Sequence, residues 1–152
     1  MAESLQFKDF DGSFLKASAE WQQDAEIRQL IDAAPFSSEQ QQQWFLSLPT
    51  RTDYKIWGIA LDGEPVGAVG LKDITEEFAE YFGYLGNKSC WGRGFGASMM
   101  AFAEEQAGRL GVGVLRLRVL NANTRATRLY LKCGYKYCMR PDSLSGIMVK
   151  VL

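Results

Sequence analysis

Apolar residues along this chain recur at two spacings, and the switches between them outline a fold. Leu5–Phe7 predicts a short first strand. From Asp11-Gly12 the spacing becomes helical, with Phe14, Ala17, Trp21 and Ala25 on one face, because residues three and four apart lie above one another on a helix. The pattern runs on through Ile27, Leu30 and Ile31 and breaks at Pro35-Phe36. Ser37-Ser38, with Gln40 or Gln41 three residues on, is a capping-box signal. In such a box the hydroxyl and the amide satisfy free N–H groups of a helix start. The second helix carries Trp44, Phe45 and Leu48 and stops at Pro49, and Gln40–Gln43 fall on its solvated face.

The spacing then becomes strand-like. Tyr54–Leu61 and Val66–Leu71 flank Asp62-Gly63, a dipeptide typical of hairpin turns. Glu80–Leu85 predicts a third, aromatic-rich strand. Met99, Phe102, Ala103, Gln106 and Leu110 return to helical spacing, with Gly111 placed as the residue that ends the helix. In Val114–Leu120, Leu115, Leu117 and Val119 alternate with Arg116 and Arg118. Asn123 is a helix N-cap candidate. Ala126, Leu129, Tyr130 and Cys133 form the stripe of the fourth helix, closed by Gly134. Tyr135–Met139 and Ile147–Leu152 predict two closing strands around a loop at 141–146. The order is β-α-α-β-β-β-α-β-α-β-β, without repeat or linker, and predicts one mixed α/β domain over residues 1–152.

Composition narrows the chemistry. The chain has 152 residues, 47% hydrophobic and 23% charged, with a formal net charge of −1. Without a basic excess it does not read as a nucleic-acid binder. It has no apolar run of about 18 residues, so no membrane span is expected. Met1-Ala2-Glu3-Ser4 lacks the basic and apolar regions of a signal peptide, and Cys90, Cys133 and Cys138 have no metal-ligand spacing. Together these predict a cytoplasmic protein with reduced thiols and no metal. There is no histidine, which removes His-based triads and the commonest general base.

Between the third strand and the third helix stands Trp91-Gly92-Arg93-Gly94-Phe95-Gly96-Ala97. Glycines let the backbone turn tightly and let a ligand approach the main chain. The free N–H groups at the start of the following helix then make an anion site, suited to phosphate. The spacing Gly92-x-Gly94-x-Gly96, late in the chain, is not the G-x-G-x-x-G dinucleotide fingerprint, and it is not a P-loop, since no Lys-Ser/Thr pair follows.

Downstream, Asn123-x-x-Ala126-x-x-Leu129-Tyr130 is followed by Gly134-Tyr135. With the glycine loop, this resembles the GCN5-related N-acetyltransferase (GNAT) superfamily. The cofactor motif of that family is Gln/Arg-x-x-Gly-x-Gly/Ala, and its later motif is Asn-x-x-Ala-x-x-Leu-Tyr. The order of elements is similar from end to end. The resemblance implies a central mixed, mostly antiparallel sheet of six to seven strands flanked by four helices. One position departs from the pattern: the first motif residue is Trp91. The first half, with Trp21-x-x-Asp24-x-Glu26-Ile27-Arg28, Ser38–Leu48 and Glu64-Pro65-Val66-Gly67, resembles the branch that acetylates ribosomal-protein N-termini and amino sugars.

The resemblance implies acetyl-coenzyme A as donor. It places pyrophosphate on the main chain of Trp91, Gly92, Arg93, Gly94, Phe95, Gly96 and Ala97. Pantetheine would pair with Tyr84, Leu85 and Gly86, and Asn123 would contact the same arm. A backbone N–H there could hold the developing oxyanion. Direct transfer needs a base for the amine, because an aliphatic amine with a pKa of about 10.4 is protonated at neutral pH. Without histidine a carboxylate must serve, and Glu80 is the candidate, sharing a strand face with Phe82 and Tyr84. Asp24, Glu26 and Asp73 are alternatives. Tyr130 is the candidate acid for the departing thiolate. A covalent route through Cys90 lacks an activating base.

The expected enzyme moves acetyl to a small-molecule primary amine, an amino sugar first, as a monomer or homodimer. The α-amine of a protein N-terminus is the second choice. A non-catalytic acyl-coenzyme A binding module is the reading from another class.

Overall fold

The computed structural model describes residues 4–31 and 36–152. The helix break expected at Pro35 and the N-terminal tripeptide lie outside the described residues. The elements are β1 (Gln6–Asp9), α1 (Gly12–Trp21), α2 (Ala25–Leu30), α3 (Ser38–Ser47), β2 (Lys55–Leu61), β3 (Glu64–Lys72) and β4 (Phe78–Leu85). They continue with α4 (Phe95–Arg109), β5 (Val114–Leu120), α5 (Thr124–Lys132), β6 (Lys136–Tyr137) and β7 (Ser145–Val151). Short 3-10 turns occupy Leu48–Thr50 and Lys88–Cys90. The seven strands run in the order β1-β2-β3-β4-β5-β7-β6. β1 is antiparallel to β2, β4 is parallel to β5, and β7 is antiparallel to both β5 and β6. The mixed, mostly antiparallel sheet with helices agrees with the expected fold class.

Two expectations change. The single first helix is two helices, because Asp24 interrupts it. Its carboxylate accepts from Glu26 N at 2.9 Å and starts α2. The apolar spacing continues across this break, so periodicity alone reads through it. The strand expected over Tyr135–Met139 shrinks to Lys136–Tyr137. Tyr135 is buried and packs its ring on Tyr130 at 6.2 Å between centroids.

The chain divides into two compact units. The first comprises residues 1–70 and 83–95. In it the Asp11 carboxylate caps α1 by accepting from Ser13 N and Phe14 N. Ser37 and Gln40 close the capping box of α3. Asp62 and Gly63 both have positive φ, 53° and 81°, as a two-residue hairpin turn needs. Phe14, Ile27, Ile59 and Val69 are core residues of this unit. Phe10 meets Trp44 edge-on at 5.6 Å and Phe45 at 6.4 Å.

The second unit comprises residues 71–82 and 96–152. β5 buries Leu115, Leu117 and Val119 and turns Arg116 and Arg118 outward, following the two-residue period of a strand. Its core adds Leu71, Ala79, Tyr81, Met100, Ala103 and Met148. Asn123 caps α5 by accepting from Ala126 N at 3.2 Å.

Candidate active site

In the first unit, β4 ends in a turn that feeds the glycine loop. Gly86 N and Asn87 N donate to Val66 O at 2.8 and 3.2 Å. Asn87 caps the short turn by accepting from Ser89 N. Gly86 must be glycine here, because a Cβ would enter the Trp21 indole. Trp21 also meets Tyr84 edge-on at 6.0 Å, and Gln22 Nε2 donates to Tyr84 Oη at 3.1 Å. The end of α1 is thus fastened to the end of β4.

Trp91, the departure from the family pattern, has a structural role. Its Nε1–H donates to Leu85 O at 2.8 Å, tying the start of the loop back to the strand. Gly92 and Gly94 both have positive φ, 74° and 82°, a region that L side chains adopt only with strain. Gly92, Arg93 and Gly94 are exposed directly ahead of α4. An exposed glycine turn opening into the free N–H groups of a long helix fits the pyrophosphate of coenzyme A.

Of the three residues expected to pair with pantetheine, two have main-chain groups already engaged. Leu85 O serves the Trp91 indole and Gly86 N serves β3. Asp24 and Glu26, the alternative bases, both meet Lys88 Nζ at 2.7 Å. That cation holds the start of α2 to the turn before the loop. Lys88 also lies 5.6 Å from the centre of the Trp91 ring. Cys90 is a buried free thiol.

The same unit has a cleft of about 170 Å³ among α1, α2 and α3. Gln22, Gln23, Arg28, Phe36, Ser38 and Gln41 line it. Arg28 Nη1 donates to Gln22 O at 2.6 Å. Gln41 Nε2 donates to Leu15 O and Ser18 Oγ, each at 3.3 Å. The sequence pattern gave no sign of this cleft, since its lining comes from three separate segments.

In the second unit, β4 pairs with β5 through Phe78, Ala79 and Glu80 and then continues from Tyr81 toward Leu85. Glu80 is largely shielded, its side chain 17% exposed, between two cations. Lys72 Nζ stands 3.2 Å from Oε2, and Arg116 Nε 3.2 Å from Oε1. The second pair is at ion-pair distance without hydrogen-bond alignment, since Arg116 Nε is buried without a hydrogen-bond acceptor among the described residues. Asp73 meets Arg116 more loosely, at 3.6 Å. An amine approaching Glu80 would therefore compete with two cations for the carboxylate.

Tyr130 lies on α5 with its ring edge-on to Tyr81 at 6.0 Å. Burial, with a smaller contribution from Cys133, pushes its phenol up to about 12. It stays protonated through the neutral range. No protein group among the described residues bonds its hydroxyl, which is not sealed from solvent. Glu80 and Tyr81 are consecutive on β4, so their side chains leave opposite faces of the strand. Tyr130, on α5, meets β4 at the residue that follows Glu80. Gly96 and Leu129 touch so closely that a Cβ at Gly96 would overlap the leucine. Among the described residues no cluster could hold a metal ion, and no helix is long and apolar enough to cross a membrane.

The family comparison places the chain in a class of acyl-group transferases. The acetyltransferase (GNAT) family model matches residues 18–135. The chain belongs to that family and is an acetyl-coenzyme A-dependent N-acetyltransferase. No curated protein matches its sequence. Among solved structures, a domain from Methanocaldococcus jannaschii superposes with a TM-score of 0.85 at 20% identity, covering 99% of this chain and 100% of that one. The Vibrio cholerae spermidine N-acetyltransferase, solved with coenzyme A and spermine, gives 0.89 at 15% identity, covering 97% and 95%. The Campylobacter jejuni N-acetyltransferase PseH gives 0.74 at 17% identity, covering 97% of each chain. PseH has also been solved in complex with acetyl coenzyme A.

Proposed function

We propose that this enzyme acetylates the primary amine of an amino sugar. The observation that carries the reading is the polar cleft among α1, α2 and α3. Its amide and hydroxyl groups can donate to and accept from sugar hydroxyls, and the Phe36 ring gives it one apolar wall. At about 170 Å³ it far exceeds the 10–15 Å³ or so that one water needs. Gln22 both lines it and bonds Tyr84 at the end of β4. The likeness of the first half of the chain to enzymes acting on amino sugars points the same way.

Bound acetyl-coenzyme A supplies an acetyl thioester. The main chain of Trp91–Ala97 holds its pyrophosphate, Leu85 N–H meets the pantetheine arm, and Asn123 contacts that arm in addition to capping α5. Glu80 takes the proton that the amine must lose, with Lys72 or Arg116 giving way. Tyr130 gives a proton to the sulfur as the C–S bond breaks and recovers it from solvent. Proton transfers of this kind contribute about 10²–10⁴ in rate. The enzyme acts in the cytoplasm, as a monomer or a homodimer.

The test is thiol release from acetyl-coenzyme A with two acceptor pools. One holds free and nucleotide-linked amino sugars, the other peptides with free N-termini. Release with sugars alone is the expected result. Release with peptides alone overturns the sugar assignment in favour of protein N-termini.

A further inference from the structure

The charge of the cleft narrows the acceptor further, and this step rests on the amino-sugar reading above. Among the described residues that line the cleft, Arg28 is charged and none is acidic. Its neighbours are the amides of Gln22, Gln23 and Gln41 and the hydroxyl of Ser38. Arg28 spends one N–H on Gln22 O, which fixes the side chain at the edge of the cleft. A guanidinium carries five donors, so the others remain for a ligand. No described carboxylate pairs with it, whereas Lys72, Lys88, Arg109, Arg116 and Lys150 each have at least one.

Among the described residues, a pocket lined by a fixed guanidinium and by no carboxylate disfavours a polycation. It suits a group that carries negative charge, which a guanidinium recognises through paired, charge-assisted hydrogen bonds. We propose that Arg28 holds a phosphate or carboxylate borne on the same polyhydroxylated skeleton as the reacting amine, with Gln23 and Gln41 serving the hydroxyls beside it. The preferred acceptor is then an anionic amino sugar rather than a neutral one or a polyamine.

The probes are glucosamine, glucosamine 6-phosphate, muramic acid and spermidine, with wild-type enzyme, Arg28→Gln and Arg28→Lys. The wild type should favour glucosamine 6-phosphate or muramic acid over glucosamine in kcat/KM, and which of the two it favours distinguishes phosphate from carboxylate. That preference should fall about ten- to hundredfold in R28Q and be partly kept in R28K. An unchanged ratio in R28Q, or a wild-type preference for spermidine, overturns the proposal. Because the Gln22 bond gives Arg28 a structural share, the ratio is read rather than the absolute rate.

A second measurement separates this proposal from the acceptor reading. Calorimetric titration of the two anionic sugars is made into enzyme saturated with coenzyme A, so that the cofactor's phosphate site is filled. Binding that weakens in R28Q sustains the anion site even if no sugar is acetylated. Absence of binding at millimolar probe to the wild type overturns it.

Discussion

Replacing Tyr130 by phenylalanine removes one hydroxyl and little else, and this makes it the sharpest probe of the chemistry. The ring packs edge-on against Tyr81 at 6.0 Å and against Tyr135 at 6.2 Å, contacts that a phenylalanine ring can keep. No protein partner among the described residues loses a hydrogen bond. The stability change should therefore stay within about 0.5 kcal/mol, the range of changes that touch no bonded group. If the hydroxyl protonates the leaving sulfur, kcat should fall about 10²–10⁴-fold, or about 2.7–5.4 kcal/mol of barrier. The KM for acetyl-coenzyme A should move less than about threefold, because an interaction made only in the transition state leaves ground-state binding alone. Initial rates of thiol release, with a thermal melt of both proteins, measure all three. With the phenol pushed up to about 12, Tyr130 should also produce no loss of activity below about pH 10. A variant that keeps more than a third of the wild-type kcat, with its fold intact, refutes the acid role. A variant that loses acetyl-coenzyme A binding in proportion to rate makes Tyr130 a binding residue instead.

Trp91→Phe strands the Leu85 carbonyl, a defect of about 1–2 kcal/mol, and should raise the Kd for acetyl-coenzyme A about 5–30-fold; an unchanged Kd by calorimetry would remove Trp91 from the cofactor site. Asn123→Ala deletes the cap on Ala126 N and should cost about 1 kcal/mol, lowering Tm by roughly 2–4 °C. In alkaline solution, burial holds Tyr84 and Tyr130 near 12 and Tyr81, Tyr54 and Tyr135 at or above that level. The folded state thus keeps protons that the unfolded chain releases near pH 10. Their contribution is complete below about pH 10 and is lost as pH rises through the folded values. Tm should therefore drop steeply above pH 10, with tyrosinate absorbance appearing together with unfolding. Full tyrosine titration near pH 10 in a protein that is still folded would contradict this.

Local signals carried the parts of the fold that local chemistry decides. Asp62-Gly63 shaped the hairpin, Ser37 and Gln40 the start of α3, and Asn123 the start of α5. The hairpin acts through the backbone angles of two residues, and the two caps through bonds to residues three positions away. Two features escaped for opposite reasons. Asp24 cuts the first helix while Trp21, Ala25 and Ile27 still keep helical spacing, so the apolar period hides a side-chain cap. Tyr135 alternates like a strand residue, yet its burial comes from packing against Tyr130 and a 3.4 Å hydrogen bond to Glu104. The glycine loop was legible because its residue types permit little else. The partners of Glu80, Lys72 and Arg116, come from different strands, and the indole bond from Trp91 to Leu85 links a loop to a strand. Neither could be read from spacing. The cleft around Arg28 is hidden for the same reason, since the chain passes it in three separate helices.

The central claim is direct acetyl transfer from acetyl-coenzyme A to the amine of an amino sugar. Its most direct test incubates the enzyme with acetyl-coenzyme A and glucosamine or glucosamine 6-phosphate, then follows free thiol and the mass and linkage of the sugar product. The account predicts thiol release that depends on the sugar, with one acetyl group on the sugar nitrogen for each thiol formed. Tight binding of acetyl-coenzyme A without release, across the sugars and across peptides with free N-termini, would contradict it and leave a module that binds the cofactor without turning it over.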